Sequence, residues 1–349
     1  MRCPNLTDLP KVPNKEGWPW SEGSPNLPDT MPDGREWPRI SIVTPSYNQG
    51  QFLEETIRSV LLQGYPNLEY FIMDGGSTDG SLEIIKKYEK WLTYWVSEKD
   101  GGQSFAVNRG WERVTGAVIA WLNSDDLYLP GTLHIVAQAY NENPKSIVIC
   151  GRAIISDENL RTKSVKRPYT FDLERFLLGG CVPGQSSVFI AKKVFREIGG
   201  LDESFHQSLD RDYWVRISMH YPSGPITYTE KVLSVLRDWS GSKTAKGYYN
   251  MKRERFLILE KVFSDPNLPK KLLSKHAICE EMYKRRLAIL AQGYAYESIQ
   301  AGRKFISLRY AAESWLLFPS NYGTLHTLRF FIRVLIPWRI SASKLDDTL

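Results

Sequence analysis

Two adjacent carboxylates, Asp125 and Asp126, stand in the stretch WLNSDDLYLPG (121–131), between an apolar run and a Pro-Gly break. Neighbouring like charges resist joint ionisation unless a cation shares them. Mn2+ and Mg2+ suit such a pair, because these hard cations take one or two protein carboxylates and complete their shell with phosphate oxygens and water. A metal on Asp125 or Asp126 would clamp a diphosphate and neutralise charge on a leaving group. Two further polar loops also follow apolar runs. TPSYNQG (44–50) supplies Pro45, Ser46 and Tyr47, a rigid turn with a hydroxyl and an aromatic face that suits a planar base such as uracil. DGGSTDG (74–80) supplies Asp74, an acceptor for a base N–H or a ribose hydroxyl, and Gly75, where a ligand can approach the backbone closely. Ser77, Thr78 or Asp79 is expected to cap the helix that follows.

These loops need elements that bring them to one place. Apolar strand-like runs at 40–44, 68–73, 94–97 and 117–122 alternate with helical periodicity over 52–63, 82–92 and 103–114. Such alternation predicts an α/β fold, a mostly parallel Rossmann-like sheet flanked by helices, with ligands beyond the carboxyl ends of the strands. Residues 145–240 read as a mixed continuation, with strands near 146–150, 186–190 and 226–236 and a helix over 211–221. From about residue 243 onward the pattern is mainly helical. Residues 1–38 hold 8 of the 20 prolines together with Trp18, Trp20 and Trp37, which excludes a helix or a central strand and predicts an arm lying along the domain surface. The expected division is an arm (1–38), a catalytic domain (39–244) and a basic helical region (245–349).

Composition narrows the class. The 349 residues are 42% hydrophobic and 24% charged, which is ordinary for a folded chain. Four cysteines without a C-x-x-C pair fit neither a disulfide framework nor a zinc site and suggest a reducing cytoplasm. No stretch reads as a signal peptide or a membrane span. Residues 245–349 carry 18 Lys and Arg against 9 Asp and Glu, so the basicity belongs to that end and points to an anionic partner.

ISIVTPSYNQGQFLEETIRSVLLQGYPNLEYFIMDGGSTDGS, the NSDD element and GGLDESFHQSLDRDYWVRI together resemble the family 2 glycosyltransferases over about residues 36–245. The resemblance implies an A-type glycosyltransferase fold, a nucleotide-sugar donor, usually a UDP-sugar, a divalent metal, and inversion at the anomeric carbon. By position, NSDD matches the family's Asp-x-Asp metal and nucleotide element. Asn123 stands where an Asp is common, which leaves Asp125 and Asp126 both open as the direct ligand. SLDRDYWVRI places the family's catalytic base at Asp210, with Leu209 replacing the usual Glu. Asp212 competes, but residues two apart on a helix face different ways, so only one of them reaches the site. EKDGGQSFAVNRG resembles the donor-lining segment and directs Gln103, Asn108 or Arg109 toward the diphosphate or ribose. RDWSGSKT (237–244) reads as a loop whose Arg237 and Lys243 close over the diphosphate.

The activity so implied is sugar transfer to a hydroxyl of a glycan acceptor in cell-surface polysaccharide synthesis. A nucleotidyltransferase would want a basic Gly-rich loop after the first strand, yet no Lys or Arg occurs between Ile40 and Ile57. A glycoside hydrolase would want two separated carboxylates rather than an adjacent pair. A non-catalytic nucleotide-sugar-binding protein is the other reading. LHTLRFFIRVLIPWRI (325–340) mixes apolar bulk with arginines as interfacial segments do. It predicts a cytoplasmic protein, peripheral on the inner face of the plasma membrane, that meets a lipid-linked acceptor and no nucleic acid.

Overall fold

Ile40, Ile42 and Val43 are fully buried and open the central strand β1 (Ile40–Ser46). A computed structural model of the protein describes residues 1–168 and 170–319, in two compact units, Met1–Lys246 and Gly247–Leu349. In the first unit β1 pairs in parallel with β2 (Leu68–Asp74) and with β4 (Val118–Trp121), while β2 pairs in parallel with β3 (Tyr94–Ser97). Three helices alternate with these strands: α1 (Gly50–Leu61), α2 (Ser81–Tyr88) and α3 (Gln103–Trp111). Every residue of β1 and β2 is buried, as expected of parallel strands covered on both faces. The register sets Ser46 opposite Asp74 and Asp74 opposite Ser97, so three loops leave the sheet at one level.

The expected cap of α2 falls elsewhere. Gly80, at φ 90, is its N-cap residue, and Asp79 Oδ1 accepts from Ser81 N at 3.2 Å. The chain must enter the left-handed region there, which glycine tolerates and Ser77, Thr78 and Asp79 do not. Glycine also matters in α3, where a methyl group on Gly110 would lie 2.5 Å from Val43 Cγ1. The helix thus rests directly on β1.

After β4 come β5 (Leu127–Tyr128), α4 (Thr132–Glu142), β6 (Val148–Ser156), β7 (Thr162–Lys166), α5 (Leu173–Leu177), β8 (Val188–Ala191), α6 (Lys192–Ile198), α7 (Leu209–His220), β9 (Ile226–Arg237) and α8 (Lys243–Lys246). The sheet order is β3-β2-β1-β4-β8-β6-β9-β5, with β7 beside β6. β8 runs antiparallel to β4 and β6, whereas β9 is parallel to β6 and antiparallel to β5. The four parallel strands β1 to β4 thus continue into a mixed half. β7 escapes hydrophobic pattern reading because four of its five residues are exposed.

Residues 1–38 add to the same core. Cys3, Leu9, Met31 and Trp37 are buried among side chains of β1, β2 and α1. Met1 exchanges backbone hydrogen bonds with Leu68, and Cys3 N donates to Tyr65 O at 2.8 Å. Burial pushes the Cys3 thiol up to about 12, so it stays protonated.

The second unit holds α9 (Tyr248–Phe263), α10 (Lys270–Leu273), α11 (His276–Gln300) and α12 (Lys304–Leu317). Ser307 and Ser314 of α12 donate to Ala295 and Ala288 carbonyls of α11, each at 2.7 Å, which fixes the two helices antiparallel. Buried Ala288, Ala291 and Ala295 allow that close approach. Tyr249 packs edge-on against both Tyr294 and Tyr310. No helix of the described residues is long and apolar enough to cross a membrane. The segment 325–340 lies outside the described residues.

Candidate active site

The loops after β1 and β2 are stitched together by side chains. Gly75 N donates to Ser46 O at 2.8 Å, Asn48 N to Ser77 Oγ at 2.7 Å, and Gly50 N to Asp79 Oδ2 at 2.8 Å. Asn48 itself sits at φ 51 and returns a bond by accepting from Thr78 N at 2.8 Å. Pro45 and Ser46 are buried in the strand end, while Tyr47 is 64% exposed and offers its ring outward.

Asp74, 1% exposed, spends its carboxylate on its own loop. Ser77 N, Ser77 Oγ and Ser97 Oγ donate to it at 2.9, 2.6 and 2.7 Å. Gly76 N adds a longer bond at 3.2 Å. These bonds tie the ends of β2 and β3 together. Asp100 faces Gly75, with Oδ1 3.2 Å from where a Gly75 side chain would begin. Burial, then the nearby Asp74 charge, raises the Asp100 carboxyl above its ordinary range.

The three α3 residues part company. Gln103 Nε2 donates to Asn123 Oδ1 at 2.7 Å and Gln103 Oε1 accepts from Lys243 Nζ at 2.9 Å, so this residue stands beside the acidic loop. Asn108 instead bonds the backbone of Leu201 in both directions, at 2.7 and 2.9 Å, and reaches Glu203. Arg109 pairs with Glu98. Neither of these two touches the 123–126 loop.

That loop is held from several sides. Thr56, fully buried on α1, donates to both Ser124 O at 2.9 Å and Asp126 O at 2.7 Å. Asp126 Oδ1 accepts from Arg237 N at 3.0 Å, and its Oδ2 accepts from Asn123 Nδ2 at 3.3 Å. Asp125 Oδ2 accepts from the Trp239 indole at 3.1 Å, whereas Oδ1 makes no hydrogen bond to another described residue. Burial raises the Asp125 carboxyl, and burial joined by the Asp125 charge raises Asp126 much further. Arg237, expected in a mobile loop, ends β9 and is 5% exposed, pinned against Asp125 O at 2.7 Å. A long-range backbone staple of this kind carries no sequence signal, and Glu55, Thr56, Gln185 and Trp239 escaped the sequence reading for the same reason. Gln185 bonds Asn123 at 3.2 Å and the Trp121 carbonyl at 2.7 Å.

Asp210 lies half-buried in the first turn of α7 and accepts from Arg211 N at 2.8 Å. Asp212 is buried and paired with Arg216 at 2.8 Å. Trp214, one turn after Asp210 on the same face, stacks on Trp121 with centroids 5.6 Å apart, two residues before Asn123. As for a metal, no cluster of three His, Cys, Asp or Glu exists among the described residues. The carboxylates available are Asp126, which is buried, and half-buried Asp125, which has an uncommitted oxygen; the pair fits a cation that draws its remaining ligands from phosphate and water.

Residues 41–199 match the family model described as Glycosyl transferase family 2. An uncharacterized glycosyltransferase of Rickettsia typhi is 30% identical over 199 residues, covering 53% of this chain and 61% of its own. TuaG of Bacillus subtilis, whose name assigns it only provisionally to teichuronic acid biosynthesis, is 40% identical over 92 residues, covering 26% of this chain and 36% of its own. The chain thus spans less than two thirds of either relative. Among solved structures, S. aureus TarS in complex with UDP-GlcNAc superposes with a TM-score of 0.54 at 17% identity, over 85% of this chain and 90% of that one. The mannosyltransferase PcManGT of Pyrobaculum calidifontis, in complex with GDP-Man and Mn2+, gives 0.52 at 18% identity, over 92% and 89%. At such identities the likeness is one of fold, and that fold is the A-type glycosyltransferase sheet described above. The motif loops, the sheet that ranks them and the family match converge on one assignment: residues 41–199 form a family 2 glycosyltransferase domain.

Proposed function

We propose that the protein transfers a sugar, with inversion, from a nucleotide-sugar, by preference a UDP-sugar, to a hydroxyl of a glycan acceptor in cell-surface polysaccharide synthesis. The observation that carries this reading is the pair of half-buried Asp125 and buried Asp126 at the edge where the Tyr47 and Asp74 loops also end. The neighbouring folds support the donor class, since one is bound to UDP-GlcNAc and another to GDP-Man with Mn2+. The name of TuaG supports the acceptor class.

In this reading Tyr47 stacks on the base and Gly75 lets the nucleoside approach the backbone. Gln103 and Asn123 line the diphosphate, and Asp125 offers Oδ1 to Mn2+ or Mg2+. When bound, that cation supplies positive charge where the nucleoside diphosphate leaves. Asp210 takes the proton from the acceptor hydroxyl as it attacks the anomeric carbon in line with the leaving group. The ion pair of Asp212 with Arg216 favours Asp210 for that task. Asn108 and Arg109, engaged elsewhere, are assigned no contact with the donor.

Docking at the inner face of the plasma membrane, where a lipid-linked acceptor would be met, belongs to the same proposal. On α12, Phe305 (89% exposed), Arg309 and Leu316 (71%) fall on one helical face, an apolar and basic stripe of the interfacial kind. The 325–340 segment extends the same composition. The test of the central claim is a melting panel of nucleotide-sugars with Mn2+, in which the donor at about 100 times its Kd adds roughly 2.7 kcal/mol. Asp210→Asn should keep that stabilisation and lose transfer. If no nucleotide-sugar raises the melting temperature, the donor reading is wrong.

A further inference from the structure

The mechanism above leaves the arm and Glu55 without a task, although both are built into the support of the acidic loop. Arg58, 1% exposed on α1, donates through its guanidinium to three arm carbonyls, Pro10 at 3.0 Å, Pro19 at 2.9 Å and Trp20 at 3.0 Å. This holds Trp20 so that its indole N–H donates to Glu55 Oε1 at 3.0 Å. The other Glu55 oxygen pairs with Arg237 Nη2, the side chains being 14% and 2% exposed. Arg237 in turn contacts both members of the acidic pair, Asp126 Oδ1 through its backbone N–H and the Asp125 carbonyl through Nη1. Two further bonds brace the chain just beyond the pair: Trp18 Nε1 donates to Tyr128 O at 2.9 Å, and Ser24 Oγ accepts from Gly131 N at 3.0 Å.

The electrostatics give this arrangement a meaning beyond packing. A guanidinium is permanently charged, and at this site it would offset part of the negative charge of Asp125 and Asp126. It would then weaken the attraction of the pair for a second cation. Glu55 offsets the Arg237 charge through Nη2, while Nη1 faces the Asp125 carbonyl. We propose that Glu55, held by Trp20 of the N-terminal arm, is a positioning residue that neutralises and orients Arg237 and so reserves the charge of the acidic pair for a divalent cation. The inference rests on the reading that the pair holds a metal. The arm and Arg237 both lie outside the matched residues 41–199.

The test titrates Mn2+ into the full chain in the presence of UDP and follows the free-ion signal by electron paramagnetic resonance, with the melting temperature of each metal-free variant beside it. Glu55→Gln keeps the shape and removes the charge, and should weaken Mn2+ binding by about 10- to 100-fold, the usual effect of losing an outer-shell partner. Glu55→Asp should recover part of the affinity. Trp20→Phe keeps the ring, removes the N–H, and should cause a smaller loss in the same direction, which keeps the test available if Glu55→Gln fails to fold. A purely structural ion pair would instead lower the melting temperature of Glu55→Gln while leaving Mn2+ affinity at the wild-type level, and that result overturns the proposal. Wild-type protein that binds no Mn2+ with UDP overturns the metal reading and this one together. Wild-type binding matched by both variants overturns this one alone.

Discussion

Asp125 and Asp126 share a loop but not an environment. Both oxygens of Asp126 are engaged, by Arg237 N and by Asn123, whereas Asp125 keeps Oδ1 uncommitted. The two carboxylates should therefore fail differently. Asp125→Asn should lose about 10- to 100-fold in Mn2+-dependent UDP binding with little change in melting temperature, judged by calorimetric titration. Asp126→Ala should cost about 1–3 kcal/mol of stability by orphaning the Arg237 amide. Equal Mn2+ affinity in Asp125→Asn and wild type would remove Asp125 from the metal site. The sequence showed the residue types and their adjacency. It did not show how the two carboxylates differ in their partners, because Arg237, which engages Asp126, is 111 residues away. Asp74 likewise accepts from its own loop and from Ser97, contacts that its strand-end position does not announce.

Among the elements, the alternating strands and helices from β1 to β4 were legible because their periodicity is local. The second half was less so. β5 has two residues, β7 is mostly exposed and α5 has five residues, too little signal for a pattern to register. The extension of β6 to Ser156 depends on pairing with β9 rather than on its own composition. Contact between α3 and β1 yields a direct prediction. With Val43 Cγ1 only 2.5 Å from a virtual Gly110 side chain, Gly110→Ala should overpack the interface despite the better helix propensity of alanine. A net loss of about 1–3 kcal/mol is expected in urea unfolding. A variant as stable as wild type would show that α3 can shift off the strand.

Across the whole molecule, the acidic pair ties cation binding to pH. Burial raises both carboxyls in the folded chain above the ordinary 3.8, and the Asp125 charge raises Asp126 further. A group raised on folding holds a proton that the unfolded chain has already released. Its contribution to stability is therefore complete below the ordinary value and fades as pH climbs through the raised one. A divalent cation must displace that proton, so Mn2+ affinity should rise with pH across the same window and binding should release protons. Titrations in buffers of different ionisation enthalpy measure that release, and an affinity flat with pH would contradict proton displacement at the pair. The alternating half of the sheet was legible in the sequence, but the site's support was not, since residues of the arm, α1 and β9 meet only once the chain is folded.

The arm leaves the ribosome before the surfaces that receive it. Cys3 waits for Tyr65, Met1 for Leu68, and the acidic loop for Arg237. Its eight prolines cannot donate to a hydrogen-bonded ladder, so the waiting segment is a poor partner for a stray strand. The support of the acidic loop is therefore incomplete until β9 has been synthesised and paired.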